Sequence, residues 1–160
     1  MQVVEYASSG GVVLDSGRVL LVRKRDVPEV RLPKGHINPG ESRREAAVRE
    51  VREETGYLAV QPVADLGTQL VEFEHEGRWI RRWESYFAMV LTNPTRGPRA
   101  PEEEAKFEVF WAPVEEALEL LTFESEREFL RRALQRCPEK SCSPSCSPTK
   151  NPRHLIRSGG

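Results

Sequence analysis

The chain has 160 residues, of which 38% are hydrophobic, and its formal net charge is −1. This length suits one domain with a single core and leaves no room for a second full domain. A near-neutral charge provides no overall positive field, so a nucleic-acid partner is not expected. No apolar run approaches the roughly 20 residues of a membrane span, and the N-terminus lacks a signal-peptide pattern, which together predict a cytoplasmic protein without membrane contact.

Composition divides the chain into a predicted domain at residues 1–136 and a predicted disordered tail at residues 137–160. The tail is rich in Ser and Pro and has almost nothing apolar to bury. It carries a net charge of +3, which leaves −4 for the domain. All three cysteines lie in the tail, where they cannot staple the domain, and their spacing matches no ordinary zinc module.

Alternating and apolar segments predict strands at the start of the chain. Residues 3–14 predict one or two strands, and residues 18–25 predict another after a short turn. A brief strand is expected within residues 26–32. Pro33 then fixes the backbone before Gly35, where we expect a glycine because the chain turns.

A short helix is predicted to begin after Ser42 and to end near Thr55. Ser42 suits the N-cap, and Glu45 stands three residues later, which is the capping-box arrangement. Gly56 suits the position just after the last helical residue, where a left-handed backbone conformation ends many helices.

Three glutamates share one face of this helix. Glu50, Glu53 and Glu54 stand at i, i+3 and i+4, so their side chains occupy an arc of roughly 100°. Ala47 and Val51 lie on the adjacent arc and can pack on a core, which places the carboxylates at the border between core and cleft. Carboxylates grouped in this way suit Mg²⁺ or Mn²⁺, which complete their coordination with water and substrate phosphates. For an isolated pair of glutamates, a solvated helix face would be the alternative.

The segment from Gly35 to Tyr57 resembles the Nudix box, G-x5-E-x7-R-E-U-x-E-E-x-G-U, in which U is aliphatic. The matching residues are Gly35, Glu41, Arg49, Glu50, Val51, Glu53, Glu54 and Gly56. Only Tyr57 departs, and it replaces a packing residue and not a ligand. The resemblance to Nudix hydrolases extends over residues 5–136. It implies an α/β fold, an α/β/α sandwich with a mixed central sheet in which the box forms a loop–helix–loop.

The same resemblance implies an activity and roles for single residues. The activity is metal-dependent hydrolysis of a nucleoside diphosphate linked to another group, by attack of water at phosphorus. The implied metal ligands are the backbone carbonyl of Gly35 and the carboxylates of Glu50, Glu53 and Glu54. Glu53 or a glutamate in a later loop would accept the water proton, with Glu104 the first choice there and Glu103 the second. Arg49 would orient the glutamates, and Glu41 would support them. The candidate catalytic residues are therefore Arg49, Glu53, Glu54 and Glu104.

The spelling LPKGH at residues 32–36 is similar to the branch that hydrolyses diadenosine polyphosphates or diphosphoinositol polyphosphates. Lys34 would place its ammonium near a phosphate, and His36 would contact phosphate or cap the turn. ADP-ribose and nucleoside triphosphates are the alternative substrates. The alternative of another class is a module that senses a nucleotide or an RNA end without cleaving it. Such sensors usually lack box carboxylates, and none is missing here.

Strands are also predicted in the segment after the helix, at residues 58–66, 69–73 and 78–91, with a hairpin turn at residues 74–77. In the last strand Arg78, Ile80, Arg82 and Glu84 share one side, whereas Trp79, Arg81 and Trp83 share the other. Arg81 and Arg82 are candidates for binding distal phosphates, and a tryptophan of this strand is a candidate for stacking on a base. Burial of Trp83, Tyr86 and Phe87 in an ordinary core is the alternative.

A Pro/Gly loop and an acidic loop at residues 102–104 precede a predicted strand at residues 107–111. Pro113 is expected to open one helix and Ser125 to cap another. The expected partner is a small-molecule polyphosphate, bound by a monomer or a homodimer.

Overall fold

The computed structural model describes residues 1–137. Within this range the strands are β1 (Gln2–Asp15), β2 (Arg18–Lys24), β3 (Val30–Arg31), β4 (Lys34–His36), β5 (Val60–His75), β6 (Arg78–Leu91) and β7 (Phe107–Pro113). The helices are α1 (Arg43–Thr55), α2 (Pro101–Lys106), α3 (Val114–Leu120) and α4 (Glu124–Arg136). No helix in residues 1–137 is long and apolar enough to cross a membrane.

The strands form one mixed sheet in the order β3-β2-β1-β6-β5, with β4 paired to β1 and β7 paired to β2. The pair β1 and β6 is parallel, and the other strand pairs are antiparallel. The sequence predicted two strands at residues 58–66 and 69–73, whereas β5 is continuous. Its register shifts between Asp65 and Thr68, and Gly67 between them has a φ of +91°, so the apparent break is a bulge.

Alternate residues of β1 build the core on both faces of the sheet. Val12 points to the face that α3 and α4 cover, where it belongs to the same cluster as Phe129. Val13 points to the opposite face, where it packs with Val51 of α1. Helices therefore cover both faces of a mixed sheet, and the predicted α/β/α sandwich is confirmed.

The predicted limits of α1 are confirmed. The Ser42 hydroxyl accepts a hydrogen bond from the backbone N–H of Glu45 at 3.0 Å, and the Glu45 carboxylate accepts one from the N–H of Ser42 at 2.9 Å. Gly56 ends the helix in the left-handed conformation with a φ of +82°. Ala47 and Val51 are fully buried, as the helix pattern predicted.

Four local expectations are corrected by the structure. Residues 102–104 lie in α2 and not in a loop, because Pro101 and the acidic residues after it favour the first turn of a helix. The fourth helix begins at Glu124 after Phe123, so Ser125 is inside it. The side chain of Trp83 is not core, since 41% of the residue is exposed. Cys137, predicted to begin the tail, is only 8% exposed and belongs to the core cluster under α4. The rest of the predicted tail, residues 138–160, lies outside the described residues.

Glu126 gives this fold a testable dependence on pH. Its carboxylate is buried under the sheet and accepts a hydrogen bond from the N–H of Leu32 at 2.8 Å. Burial raises the pKa of Glu126 to about 7, although the nearby Lys34 ammonium acts in the opposite direction. The folded state therefore binds a proton more tightly than the unfolded state, so this stabilisation is present below the unfolded pKa and is lost as pH rises through about 7.

We expect the free energy of unfolding to fall by about 2 kcal/mol between pH 5 and pH 8 because of this group. Glu126→Gln keeps an acceptor for Leu32 but does not titrate, so it should remove that part of the pH dependence. Urea unfolding of both proteins at several pH values measures the difference. The buried Glu54 also has a raised pKa, but it is present in both proteins, so the difference between them reports on Glu126. Identical pH profiles would show that Glu126 does not carry this dependence.

Candidate active site

The glutamates of α1 meet the chain at Gly35. A Cβ atom built on Gly35 would lie 2.1 to 2.3 Å from the carboxyl atoms of Glu50, so no larger residue fits beside this carboxylate. The φ of Gly35 is not positive. The position thus needs a glycine because Glu50 approaches so closely, and not because of the turn that the sequence suggested. Glu54 is buried beside it and accepts a hydrogen bond from the N–H of Lys34 at 3.2 Å. Glu53 is half-exposed at the surface of the helix.

Arg49 connects this group of carboxylates. Its guanidinium donates to Glu41 at 2.7 and 2.9 Å, to Glu50 at 2.8 Å and to Glu53 at 3.2 Å. It also donates to the carbonyl of His36 at 2.8 Å, which ties α1 to the end of β4. The hydrogen bonds from Arg49 and from the N–H of Asn38 lower the pKa of Glu41 to about 2. Arg49 thus joins Glu41 to two of the three helix glutamates, Glu50 and Glu53.

Burial changes the protonation of the two inner glutamates. It raises the pKa of Glu50, although hydrogen bonds from Arg49 lower it. Burial also raises the pKa of Glu54 to about 8, although the positive charges of Arg31 and Lys34 lower it. Burial is therefore the main reason that the ionised forms of both carboxylates are disfavoured. A nearby cation would favour their ionised forms.

The helix α2 brings one further carboxylate to this group. Glu103 lies close enough to raise the pKa of both Glu50 and Glu54, and its buried Oε1 atom has no hydrogen-bond partner within residues 1–137. Glu104 instead pairs with Arg99 at 3.0 Å. Glu103, the second choice from the sequence, thus lies within electrostatic reach of Glu50 and Glu54, whereas the carboxylate of Glu104 is paired with Arg99. The two residues are neighbours on a helix and differ only in the direction in which they point, and residues 102–104 were predicted to form a loop.

The donor set fits a hard divalent cation bound together with its substrate. Across residues 1–137, no three His, Cys, Asp or Glu side chains form a ready-made metal cage. Mg²⁺ does not require one, because it usually keeps several waters and binds through one or two carboxylates and substrate phosphates. The orphaned Oε1 of Glu103 and the raised pKa values of Glu50 and Glu54 are expected of carboxylates that gain from a cation.

An open groove of about 680 Å³ begins at His36. It lies on the sheet face opposite α1, because His36 is paired with Ser8 and shares a face with the even-numbered residues of β1 and β6. The basic residues of its lining are His36, His75, Arg78 and Arg82, and the aromatic ones are Tyr6 and Phe73. The rings of Tyr6 and His36 meet edge to face, with centroids 4.3 Å apart. The groove therefore combines positive charge with aromatic surface, on the sheet face opposite the helix that carries the three glutamates.

The predicted substrate-binding residues divide between the two faces. His36 and Arg82 line the groove, although Arg82 also pairs with the buried Glu84 at 2.6 Å. Lys34 is only 8% exposed, and burial lowers its pKa, so its ammonium does not reach the open cleft. Arg81 lies on the opposite face. Its ion pairs there are with Glu5 at 3.4 Å and Glu72 at 3.6 Å.

Sequence reasoning missed three of the residues that line the groove, namely Tyr6, His75 and Arg78. The alternation along residues 78–84 had already placed Arg78 on the same side as Arg82. Recognising Tyr6 required the parallel register of β1 with β6, in which Tyr6 stands opposite Arg82. That pairing joins segments far apart in the chain, so no local pattern indicates it.

Comparison with known proteins shows that a family model matches this chain. The NUDIX domain family matches residues 6–133. An 8-oxo-(d)GTP phosphatase of Mycolicibacterium smegmatis is 32% identical over 120 residues, which cover 74% of this chain and 34% of that protein. The chain spans 32% to 54% of the length of three curated relatives that it matches.

Solved structures share the fold. A C. elegans Ap4A hydrolase in a binary complex has a TM-score of 0.62 at 21% identity, with 79% of this chain and 93% of that chain covered. The E. coli dihydroneopterin triphosphate pyrophosphohydrolase has a TM-score of 0.62 at 21% identity, with 84% and 99% covered. At a sequence identity of 21%, these structures show only that the fold is shared. Because the family match spans most of the chain and includes the whole carboxylate helix, the chain belongs to the NUDIX domain family.

Proposed function

We propose that the protein is a divalent-metal-dependent pyrophosphohydrolase that cleaves a phosphoanhydride bond in a nucleoside diphosphate linked to another group. One observation carries the proposal, namely the grouping of carboxylates on α1, with Glu50 against Gly35, Glu54 buried beside it, and Arg49 joining Glu50 to Glu53. Burial disfavours the ionised forms of Glu50 and Glu54, and a divalent cation would favour them. The same cation would bind the phosphate chain of a substrate.

In the proposed mechanism, the carboxylates of Glu50, Glu53 and Glu54 and the carbonyl of Gly35 would hold Mg²⁺ or Mn²⁺. When bound, the ion would neutralise the polyphosphate and lower the pKa of a bound water. Glu103 accepts the proton from the attacking water, with Glu53 as the alternative acceptor, because Glu103 is near the cluster and keeps a free oxygen. The remaining residues orient these groups, since Arg49 fixes the positions of Glu50 and Glu53.

For the substrate, we propose dinucleoside polyphosphates, or diphosphoinositol polyphosphates of similar charge. The groove at His36 supports this choice because its volume of about 680 Å³ suits a second bulky group beyond the phosphates. Its arginines and histidines suit additional phosphates, and Tyr6 offers an aromatic ring for a base. ADP-ribose carries fewer phosphate charges and would use less of this surface.

A second candidate substrate is an oxidised nucleoside triphosphate such as 8-oxo-dGTP. This candidate is supported by the mycobacterial relative that covers 74% of this chain, because that relative is an 8-oxo-(d)GTP phosphatase. A nucleoside triphosphate has only one nucleoside to place, so it would leave most of the groove unused. The two candidates therefore differ in whether residues of the groove contribute to catalysis.

A substrate panel with Mg²⁺ and product identification tests the proposal. The panel comprises diadenosine tetra- to hexaphosphates, a diphosphoinositol phosphate, ADP-ribose, 8-oxo-dGTP, unmodified nucleoside triphosphates and capped RNA. We expect the dinucleoside polyphosphates to give the highest kcat/KM. If 8-oxo-dGTP or ADP-ribose were best, the substrate proposal would fail while the hydrolase proposal stood. Binding without cleavage of any compound would identify a nucleotide sensor instead.

Two arginines of β6 provide a matched test of the groove. Arg78 lines it, whereas Arg81 lies on the opposite face, and both side chains are partly exposed. Arg78→Gln should lower kcat/KM for diadenosine hexaphosphate, which corresponds to a loss of about 1 to 3 kcal/mol of transition-state stabilisation. The kcat/KM for ADP-ribose should stay unchanged. Arg81→Gln should change neither. Equal effects on both substrates would show that Arg78 does not bind the longer chain. Arg82 is a poorer probe, because its removal leaves the buried Glu84 unpaired.

A further inference from the structure

Arg99 joins three elements around the carboxylate cluster. Its side chain is only 4% exposed. One guanidinium nitrogen donates to the carbonyls of Glu54 at 3.1 Å, Phe107 at 2.9 Å and Glu103 at 3.3 Å. The other terminal nitrogen donates to the Glu104 carboxylate at 3.0 Å. The end of α1, the helix α2 and the start of β7 are thus held by one side chain.

These contacts matter because α2 has little else to locate it. The helix has six residues, and within the described chain none of them is buried. Polar contacts must therefore set its position. Arg25 holds its C-terminal end, through the carbonyls of Glu104 and Phe107. Arg99 makes the connection toward α1, where the carbonyls of a helix end lack partners within the helix and favour a positive charge.

We propose that Arg99 is a positioning residue that fixes Glu103 of α2 against Glu50 and Glu54 of α1. This inference rests on the proposed function, in which Glu103 accepts the proton from water. The role requires a guanidinium, because one planar group with five N–H donors spans carbonyls from three elements and a carboxylate. A lysine ammonium would keep the charge but could not reach all four acceptors at once.

Arg96 is the matched control in the same loop. It donates to the carbonyl of Thr55 at 3.1 and 2.8 Å, which is the next carbonyl of the same helix end. Its guanidinium also lies over the ring of Tyr57, 5.1 Å from the ring centroid. Arg96→Lys therefore weakens a comparable bond between the loop and α1 without loosening the hold on α2.

The experiment is a double-mutant cycle on diadenosine tetraphosphate with Mg²⁺, using Arg99→Lys, Glu103→Gln and the two combined. Glu103→Gln should lower kcat by about a hundredfold or more. Arg99→Lys should lower kcat by about tenfold to a hundredfold with KM nearly unchanged, and should cause almost no further loss in the Glu103→Gln background. Arg96→Lys should stay within about threefold of the wild-type kcat, although both lysine variants should lose similar thermal stability.

Two further measurements test the positioning role of Arg99 without using the turnover of Arg99→Lys. Mn²⁺ titration without substrate, followed by electron paramagnetic resonance, should show weaker binding in Arg99→Lys and Glu103→Gln but not in Arg96→Lys. Glu104→Ala removes one acceptor of Arg99. Because the Glu104 side chain is exposed, this substitution should destabilise the fold less than Arg99→Lys. It should lower kcat about threefold, and this loss should also disappear in the Glu103→Gln background.

The outcomes separate the two proposals. Wild-type kcat in Glu103→Gln would overturn the role given to Glu103 and, with it, the positioning role of Arg99. If Glu103→Gln greatly lowered kcat but the losses of the two single variants multiplied in the double variant, the proposed function would stand and only the positioning role of Arg99 would be overturned. The positioning role would also be overturned if Arg99→Lys kept a kcat within about threefold of the wild type, as expected for Arg96→Lys.

Discussion

Glu53→Gln and Glu54→Gln are each expected to lower kcat by about a hundredfold or more while the protein remains folded. Each substitution removes one negative charge from the proposed metal site and changes the size of the side chain very little. Glu54→Gln can still accept the hydrogen bond from the N–H of Lys34, and it removes an acid whose ionised form is disfavoured by burial. Its melting temperature at pH 8 should therefore equal or exceed that of the wild type.

Steady-state kinetics at saturating Mg²⁺ and thermal unfolding together measure this expectation. The control is Glu116→Gln, which removes the same charge from an exposed position on α3 and should leave kcat unchanged. Near wild-type turnover in both glutamine variants would show that these α1 glutamates do not form the metal site. A loss of turnover accompanied by unfolding would be attributed to structure and would not support the assignment.

Gly35→Ala is expected to lower kcat by a similar factor, about a hundredfold, for a steric reason. The new Cβ would lie 2.1 to 2.3 Å from the carboxyl atoms of Glu50, which must then leave its position and its hydrogen bond with Arg49. The backbone need not change, because the φ of Gly35 is not positive. We therefore expect a large loss of activity with a modest loss of stability.

Gly77→Ala is the control for the general effect of replacing a glycine. Gly77 lies in the hairpin turn with a φ of +76°, and within the described chain no atom would lie within 4 Å of its new Cβ. Its substitution should cost about 1 kcal/mol of stability through backbone strain and leave kcat unchanged. Comparing melting temperatures and kcat for the two variants separates strain from displacement of a carboxylate. Wild-type kcat in Gly35→Ala would show that the observed position of Glu50 is not required for turnover.

Local chemistry made the helix of the box and the faces of β6 predictable. The capping residues of α1 act within three residues of one another, so the sequence contains the whole signal. The strand period of two likewise separated Arg82 from Arg81 before the structure showed one on the groove and the other on the opposite face.

Features set by distant contacts could not be predicted in this way. The choice between Glu103 and Glu104 depends on the orientation of α2, which Arg99 and Arg25 determine through polar contacts. The burial of Lys34 depends on α4, whose Glu126 lies 92 positions further along the chain. A cationic side chain beside a phosphate-binding turn suggests an open site, and nothing nearby in the sequence shows that a helix will cover it.

The parallel pairing of β1 with β6 also has a consequence for the order in which the chain folds. Val4 pairs with Ile80, so the centre of the sheet joins segments 76 positions apart. The entropy of closing such a long segment must be overcome before these contacts stabilise the chain, which makes the pairing slow compared with local structure. On the ribosome, the second residue of each β1–β6 pair is synthesised only after the whole of α1, whose capping contacts are local. We therefore expect the carboxylate helix to be formed transiently before the sheet that will hold it is complete.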